Sequence, residues 1–107
     1  MSASGSEVRV IAVFRPRPEH AERLRTTLRA LVEPTRLEAG CIQYVLHETL
    51  GGGPEFVFHP EFVFYEVWAS QIDLDRHLAT PPLQRLVASL DAMLAEPLLV
   101  KRLRLLT

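Results

Sequence analysis

Cysteine is nearly absent: Cys41 is the only one in 107 residues. A single thiol makes neither an intramolecular disulfide nor a thiolate metal cluster, so the chain has no such staple. Long apolar runs are missing too, and none approaches the roughly 20 residues that a membrane-spanning helix needs. The opening Met-Ser-Ala-Ser-Gly-Ser lacks the apolar centre of a signal peptide. A cytoplasmic protein without membrane contact is expected. Neither sign of charge is in excess, with 12 Lys and Arg against 13 Asp and Glu and a formal net charge of -1. Nucleic acid requires a basic face to neutralise phosphates. The densest basic stretch here, Lys101, Arg102 and Arg104, alternates with leucines like the solvent edge of a strand. Nucleic-acid binding is not expected. No glycine-rich phosphate loop precedes a helix, since Gly51-Gly52-Gly53 runs into Pro54 and strand-like sequence. Nor is there a nucleophile elbow to organise a Ser, His and Asp.

What is present suits one small domain. An apolar fraction of 48% fills one core, but a chain this short has an unfavourable ratio of surface to volume. A homodimer would bury more of that surface. Residues 1–6 read as a flexible lead-in and residues 7–107 as a single domain.

Val8 to Phe14 is rich in β-branched residues and reads as a strand. Arg-Pro-Arg-Pro breaks it. From Glu19 onward Ala21, Leu24, Leu28, Leu31 and Val32 form a helical stripe. Pro34 lacks an N–H and is expected to kink or interrupt this helix, with Gly40 stopping it. Cys41 to Glu48 reads as a second strand, its alternation grouping Ile42, Tyr44 and Leu46 against Gln43, Val45 and His47.

Pro54-Glu55-Phe56-Val57-Phe58 then recurs as Pro60-Glu61-Phe62-Val63-Phe64. The second copy, continuing to Trp68, is the better third strand; the first either extends a long hairpin or forms a flap. Ser70 and Asp73 resemble a capping pair before a short helix whose Leu74, His77 and Leu78 share a face. Thr80-Pro81 restarts a helix with a hydroxyl cap and proline at its first position. Leu83, Leu86, Val87, Leu90, Met93 and Leu94 form its stripe; Pro97 closes it, and Leu98 to Leu106 reads as a fourth strand. Strand, helix, strand, strand, helix, strand is the order of a split βαβ, ferredoxin-like α+β domain with helices on one face of an antiparallel sheet. Apolar residues on both faces of several strands suggest that a second copy covers the other side.

Three blocks carry a family resemblance. Thr35-Arg36-Leu37-Glu38-Ala39-Gly40-Cys41-Ile42-Gln43-Tyr44, then Phe64-Tyr65-Glu66-Val67-Trp68-Ala69-Ser70, then His77-Leu78-Ala79-Thr80-Pro81 occur in order. Together they resemble the antibiotic biosynthesis monooxygenase domain family, over nearly the whole of Val8 to Leu106. The resemblance implies a dimeric α+β barrel of two sheets packed face to face. It also implies cofactor-independent oxygenation of quinols or anthrones by O2, although other members are isomerases, haem-degrading enzymes or proteins of unknown role. The chain departs from the family in its duplicated segment and in Ala39, where proline is common. The haem-degrading branch is disfavoured: the first strand has no Asn, and Leu83 to Glu96 has no His.

Alternation on the third strand sets Phe62, Phe64, Glu66 and Trp68 on one face. Buried there, Glu66 would hold its proton more tightly and suit proton transfer. Trp68 would stack on a flat substrate and orient an O2-derived oxygen through its N–H. The structural alternative pairs Glu66 with an arginine such as Arg36 and leaves Trp68 in the core. His77, facing inward with Leu74, is the expected general base on a phenolic hydroxyl; the alternative is a histidine that caps its helix or satisfies a carbonyl. Tyr44 and His47, on opposite faces of their strand, complete the pocket candidates with Phe62 and Phe64. His47, His59 and His77 with Glu66 match no metal-ligand spacing. The expected reaction thus needs no cofactor or metal, because the aromatic substrate itself supplies electrons to O2. The alternatives are a non-catalytic, stress-associated binding dimer, or an isomerase using the same His and Glu.

Overall fold

The computed structural model describes residues 6–50 and 60–107. Strand β1 is Val8–Phe14; after a 3-10 turn at Pro18–His20, helix α1 spans Ala21–Arg36. Strands β2 (Cys41–Glu48) and β3 (Phe62–Trp68) follow, then helices α2 (Gln71–Leu78) and α3 (Pro81–Met93), and strand β4 (Leu99–Leu103). The four strands form one antiparallel sheet in the order β2-β3-β1-β4. This is the expected split βαβ, ferredoxin-like arrangement.

Periodicity explains how the layers close. The β1 residues Val8, Val10, Ala12 and Phe14 point to the helices and are buried, as are Phe62, Phe64, Glu66 and Trp68 of β3. Leu24, Leu28 and Leu31 of α1 meet them with Leu83, Leu86, Leu90 and Met93 of α3. Each fully buried Val, Leu, Phe or Met among them contributes about 1.5–3 kcal/mol through burial. The other sheet face carries Ile11 and Val13 opposite Tyr65 and Val63 in β1–β3 register, with Leu99, Lys101 and Leu103 alongside on β4. No helix among the described residues crosses that face.

Several local expectations are corrected. Pro34 lies inside α1 without ending it, and the helix runs on to Arg36. The proline removes one N–H near the C-terminal end, where the orphaned carbonyl of Ala30 sits on an exposed residue and water can satisfy it. Ile42 does not share a buried face with Tyr44, because the β2–β3 register shifts between Cys41 and Gln43 and leaves Ile42 49% exposed. The Thr80 hydroxyl does not cap α3 but donates back to the His77 carbonyl at 2.7 Å. Leu78 and Val87, expected on buried stripes, are substantially exposed. β4 is shorter than the Leu98 to Leu106 run.

α1 ends at Arg36 with Leu37 as its C-cap, before Gly40; Gly40, at φ +79°, instead shapes the turn into β2, and its carbonyl accepts from the Ala69 N–H at 2.8 Å. Ser70 caps α2 as expected: its hydroxyl accepts from the Asp73 N–H and donates to the Asp73 carboxylate at 2.8 Å. The second copy of the duplicated segment leads into β3, whereas 54–58 and His59 lie outside the described residues. No helix among the described residues is long and apolar enough to cross a membrane.

Candidate active site

Between the sheet and helices α2 and α3 lies a cavity of about 200 Å³. Its wall is almost wholly apolar, built by Phe64, Phe14, Leu74, Leu86 and their neighbours, and it admits Tyr44, Glu66, His77 and Arg102 as its polar residues. Leu78, Val87 and Val100 line it and are each about half exposed, which places its mouth between the helices and the edge strand β4.

His77 reaches the wall from the last turn of α2, 1% exposed. Its Nδ1 lies 3.1 Å from Glu38 Oε1 and 3.3 Å from Oε2. A carboxylate accepts and does not donate, so the contact assigns the proton to Nδ1 and leaves a lone pair on Nε2. Burial pushes the His77 pKa below its usual 6.5, while the Glu38 charge and hydrogen bond pull it partly back. The resting imidazole is therefore neutral around neutral pH and able to take a proton.

Glu66, also buried, accepts from Trp68 Nε1 at 3.0 Å. Loss of solvent raises its pKa above the usual 4.5; the Trp68 hydrogen bond lowers it in part, and the nearby Glu38 charge raises it. Glu66 has no arginine partner among the described residues: Arg36 instead donates from Nε to the Tyr44 carbonyl at 3.0 Å. The Trp68 N–H is thus committed to Glu66. The indole is fully buried, with its ring 4.6 Å from the His77 ring at 32°, so it backs the histidine instead of facing the cavity. Tyr44 packs 4.5 Å from Phe64 and 5.3 Å from His77, ring centre to ring centre. Burial, chiefly, raises its phenol pKa, and its hydroxyl is hydrogen-bonded to the side chain of Thr35.

The structure therefore brings Tyr44, Phe64, Glu66 and His77 to one cavity and sets Trp68 immediately behind it. It places Phe62 and His47 elsewhere, on a cleft between α1 and β2. Glu38 is the functional candidate that residue patterns did not reveal. It sits in the turn after α1, 39 positions from its partner, and its only sequence signal was membership of the Thr35-to-Tyr44 block. Buried Thr35 had the same block as its only signal, and Arg102, read as part of a strand's solvent edge, also lines the cavity. Among the described residues, no three His, Cys, Asp or Glu side chains converge as metal ligands would.

Comparison with known proteins places the chain in a family. The pattern that describes antibiotic biosynthesis monooxygenases matches residues 7–89. Rv0793 of Mycobacterium tuberculosis, named as a candidate monooxygenase, is 39% identical over 95 residues, spanning 89% of this chain and 87% of that protein. Its solved structure superposes with a TM-score of 0.83 at 38% identity, covering 95% of this chain and 97% of the other. PA3566 of Pseudomonas aeruginosa gives a TM-score of 0.81 at 34% identity, over 95% and 96% of the two chains. The Synechocystis protein sll1783 is 31% identical over 85 residues, and that match spans 79% of this chain but 54% of the longer relative. With the shared blocks, the split βαβ sheet and the family match in agreement, the chain belongs to the antibiotic biosynthesis monooxygenase family.

Proposed function

We propose that this protein is a homodimeric, cofactor-independent monooxygenase that oxidises a small electron-rich aromatic, of the quinol type, with O2. The observation that carries the reading is the Glu38–His77 pair on the wall of an otherwise apolar cavity. A neutral buried imidazole held by a carboxylate is the arrangement that takes a phenolic proton: Nε2 accepts it, and Glu38 stabilises the imidazolium that forms. The deprotonated quinol is then electron-rich enough to react with O2. One oxygen atom becomes bonded to a ring carbon and the other leaves as water. The substrate gives up all the electrons that reduce O2, so one hydroquinone and one O2 yield one hydroxylated quinone and one water.

The remaining residues support the same chemistry. The apolar wall favours a flat, uncharged ring and keeps bulk water away from the anion. Glu66, protonated more readily than an exposed carboxylate, supplies a proton to the reduced oxygen. Trp68 fixes both Glu66, through its N–H, and His77, through ring contact. Tyr44 and Phe64 hold the substrate ring. Cavities of roughly 150 Å³ accommodate benzene, so about 200 Å³ suits one substituted ring better than a tricyclic anthrone. The open sheet face, with Ile11, Val13, Val63 and Tyr65, is the surface on which two copies would pack.

A second reading is favoured by the presence of two proton carriers, His77 and Glu66, on one cavity: an isomerase that moves a proton without O2. Oxygen consumption separates the two. Metal-stripped protein offered a panel of single-ring and two-ring quinols should consume O2. Proton exchange into the substrate without O2 uptake would assign the isomerase instead, and ligand binding with neither would leave a binding protein.

A further inference from the structure

Helix α1 carries a second stripe besides the one it buries. Arg25, Arg29, Val32 and Arg36 succeed one another at steps of four, three and four, which stacks them along one side of the helix. That side faces the outer edge of β2, and the two enclose an open cleft of about 380 Å³. Leu46, Glu48 and Phe62 stand across from the arginines. None of the cleft's lining residues also lines the aromatic cavity.

The charges in this cleft do not cancel. Among the described residues Glu48 is its one carboxylate, and Arg25 holds it from Nε and Nη2 at 2.8 Å each. Arg25 is also paired with Glu22, and its guanidinium lies 5.3 Å from the centre of the Phe62 ring. It forms a neutralised end wall. Arg29 has no hydrogen bond or ion pair among the described residues. Arg36 uses only Nε, on the Tyr44 carbonyl, and its terminal nitrogens have no partner among the described residues. That bond also shows that the Tyr44 peptide groups turn outward from the sheet. Alternation along an antiparallel edge strand turns the Leu46 N–H outward too, onto the cleft. Two guanidinium groups uncompensated among the described residues and a backbone donor thus line one cleft beside the half-buried Val32 and Leu46, in a chain whose net charge is -1.

The geometry points to a second binding site, for a small molecule that carries one oxyanion, carboxylate or phosphate, on a short apolar body. Arg29 and Arg36 hold the oxygens, since guanidinium groups match oxyanions in charge and planar geometry. The Leu46 N–H supplies a further donor, and the Val32 and Leu46 side chains take the apolar part. The site stands on different residues from the proposed oxygenase chemistry and survives or fails independently of it.

Amide NMR titration tests this with three probes: inorganic phosphate, butyrate, and butanol as the uncharged control. Wild-type protein is compared with Arg29→Ala and with Arg85→Ala, an exposed arginine on α3 away from the cleft. Saturable shifts at Leu46 and Arg36 are expected with phosphate or butyrate, and whichever binds tighter identifies the preferred oxyanion. Binding should weaken about five- to tenfold in Arg29→Ala and stay unchanged in Arg85→Ala. Arg29 is exposed and unpartnered among the described residues, so its variant should melt as the wild type does. Shifts that never saturate, equal affinity in Arg29→Ala, or equal binding of butanol would each overturn the assignment.

Discussion

His77 Nδ1 and Glu38 Oε1 stand 3.1 Å apart, tying the last turn of α2 to the turn that follows α1. The carboxylate is 26% exposed and the imidazole 1%, so the pair spans the boundary between solvent and cavity. Replacing Glu38 by Gln keeps the shape and removes the charge. The account predicts a fall in kcat of about 10- to 100-fold with little change in KM, because an orienting carboxylate acts on the imidazolium and not on bound substrate.

The pH profile of the same variant carries a sign. A base must be neutral to act, so the acid limb of kcat/KM lies below 6.5 in the wild type, where burial has pushed the His77 pKa down. Glu38 opposes that shift. Its removal should move the limb to still lower pH while the plateau drops. A limb that moves upward, or does not move, would mean that Glu38 does not govern His77.

Glu66 makes a prediction about stability. Its folded pKa is raised, so the fold binds the proton more tightly than the unfolded chain does. Its contribution is full below about 4.5 and is lost as pH rises through the folded value. Glu66→Gln keeps an acceptor for the Trp68 N–H but cannot ionise. Its melting temperature at pH 7 should equal or exceed that of the wild type, and the gap should close toward pH 4.5. His77 acts in the opposite sense: its neutral form favours the fold above pH 6.5, and that contribution is lost as pH falls through its lowered value. A Glu66→Gln variant less stable at pH 7 than at pH 4.5, relative to wild type, would contradict the burial argument.

Among the described residues, Gly40 is a backbone position that resists change. At φ +79° an L side chain is strained, and a Cβ there would collide with the Asp73 carboxylate that Ser70 holds at the start of α2. Gly40→Ala should cost about 2 kcal/mol or more, seen as a Tm drop of about 8 °C or more in a calorimeter. Because α2 carries His77, activity should fall with it. An unshifted Tm would show that the turn relaxes freely.

The open sheet face predicts the assembly. Light scattering of the wild type should give twice the chain mass. Ile11→Lys, at the centre of that face opposite Tyr65, should give the single mass with its helical signal intact. A wild-type monomer at micromolar concentration would remove the dimer from the account.

Local chemistry made much of this legible in the sequence. A β-branched run marked β1, alternation marked β2, and Ser70 announced α2. Period-two alternation placed Glu66 and Trp68 together on the helix-facing side of β3. The contacts that join distant segments were not legible: nothing in spacing connects Glu38 to His77, or Thr35 to Tyr44. The bulge after Cys41 also defeated simple alternation at Ile42, because one extra residue reverses the face. The commitment of the Trp68 N–H to Glu66 was implicit in their shared face, yet the same face also suited a substrate contact.

The central claim is that His77 deprotonates an aromatic substrate for direct attack on O2. The most direct test supplies 18O2 to metal-stripped protein and a single-ring quinol, and follows the label by mass spectrometry in wild type and His77→Ala. The account predicts one 18O in the organic product and one in water per turnover, with the rate falling about 10²- to 10⁴-fold in the variant. Native circular dichroism of that variant, or the same loss in His77→Gln, would separate lost chemistry from lost fold. Label absent from the product, or incorporation at an unchanged rate without His77, would contradict the account.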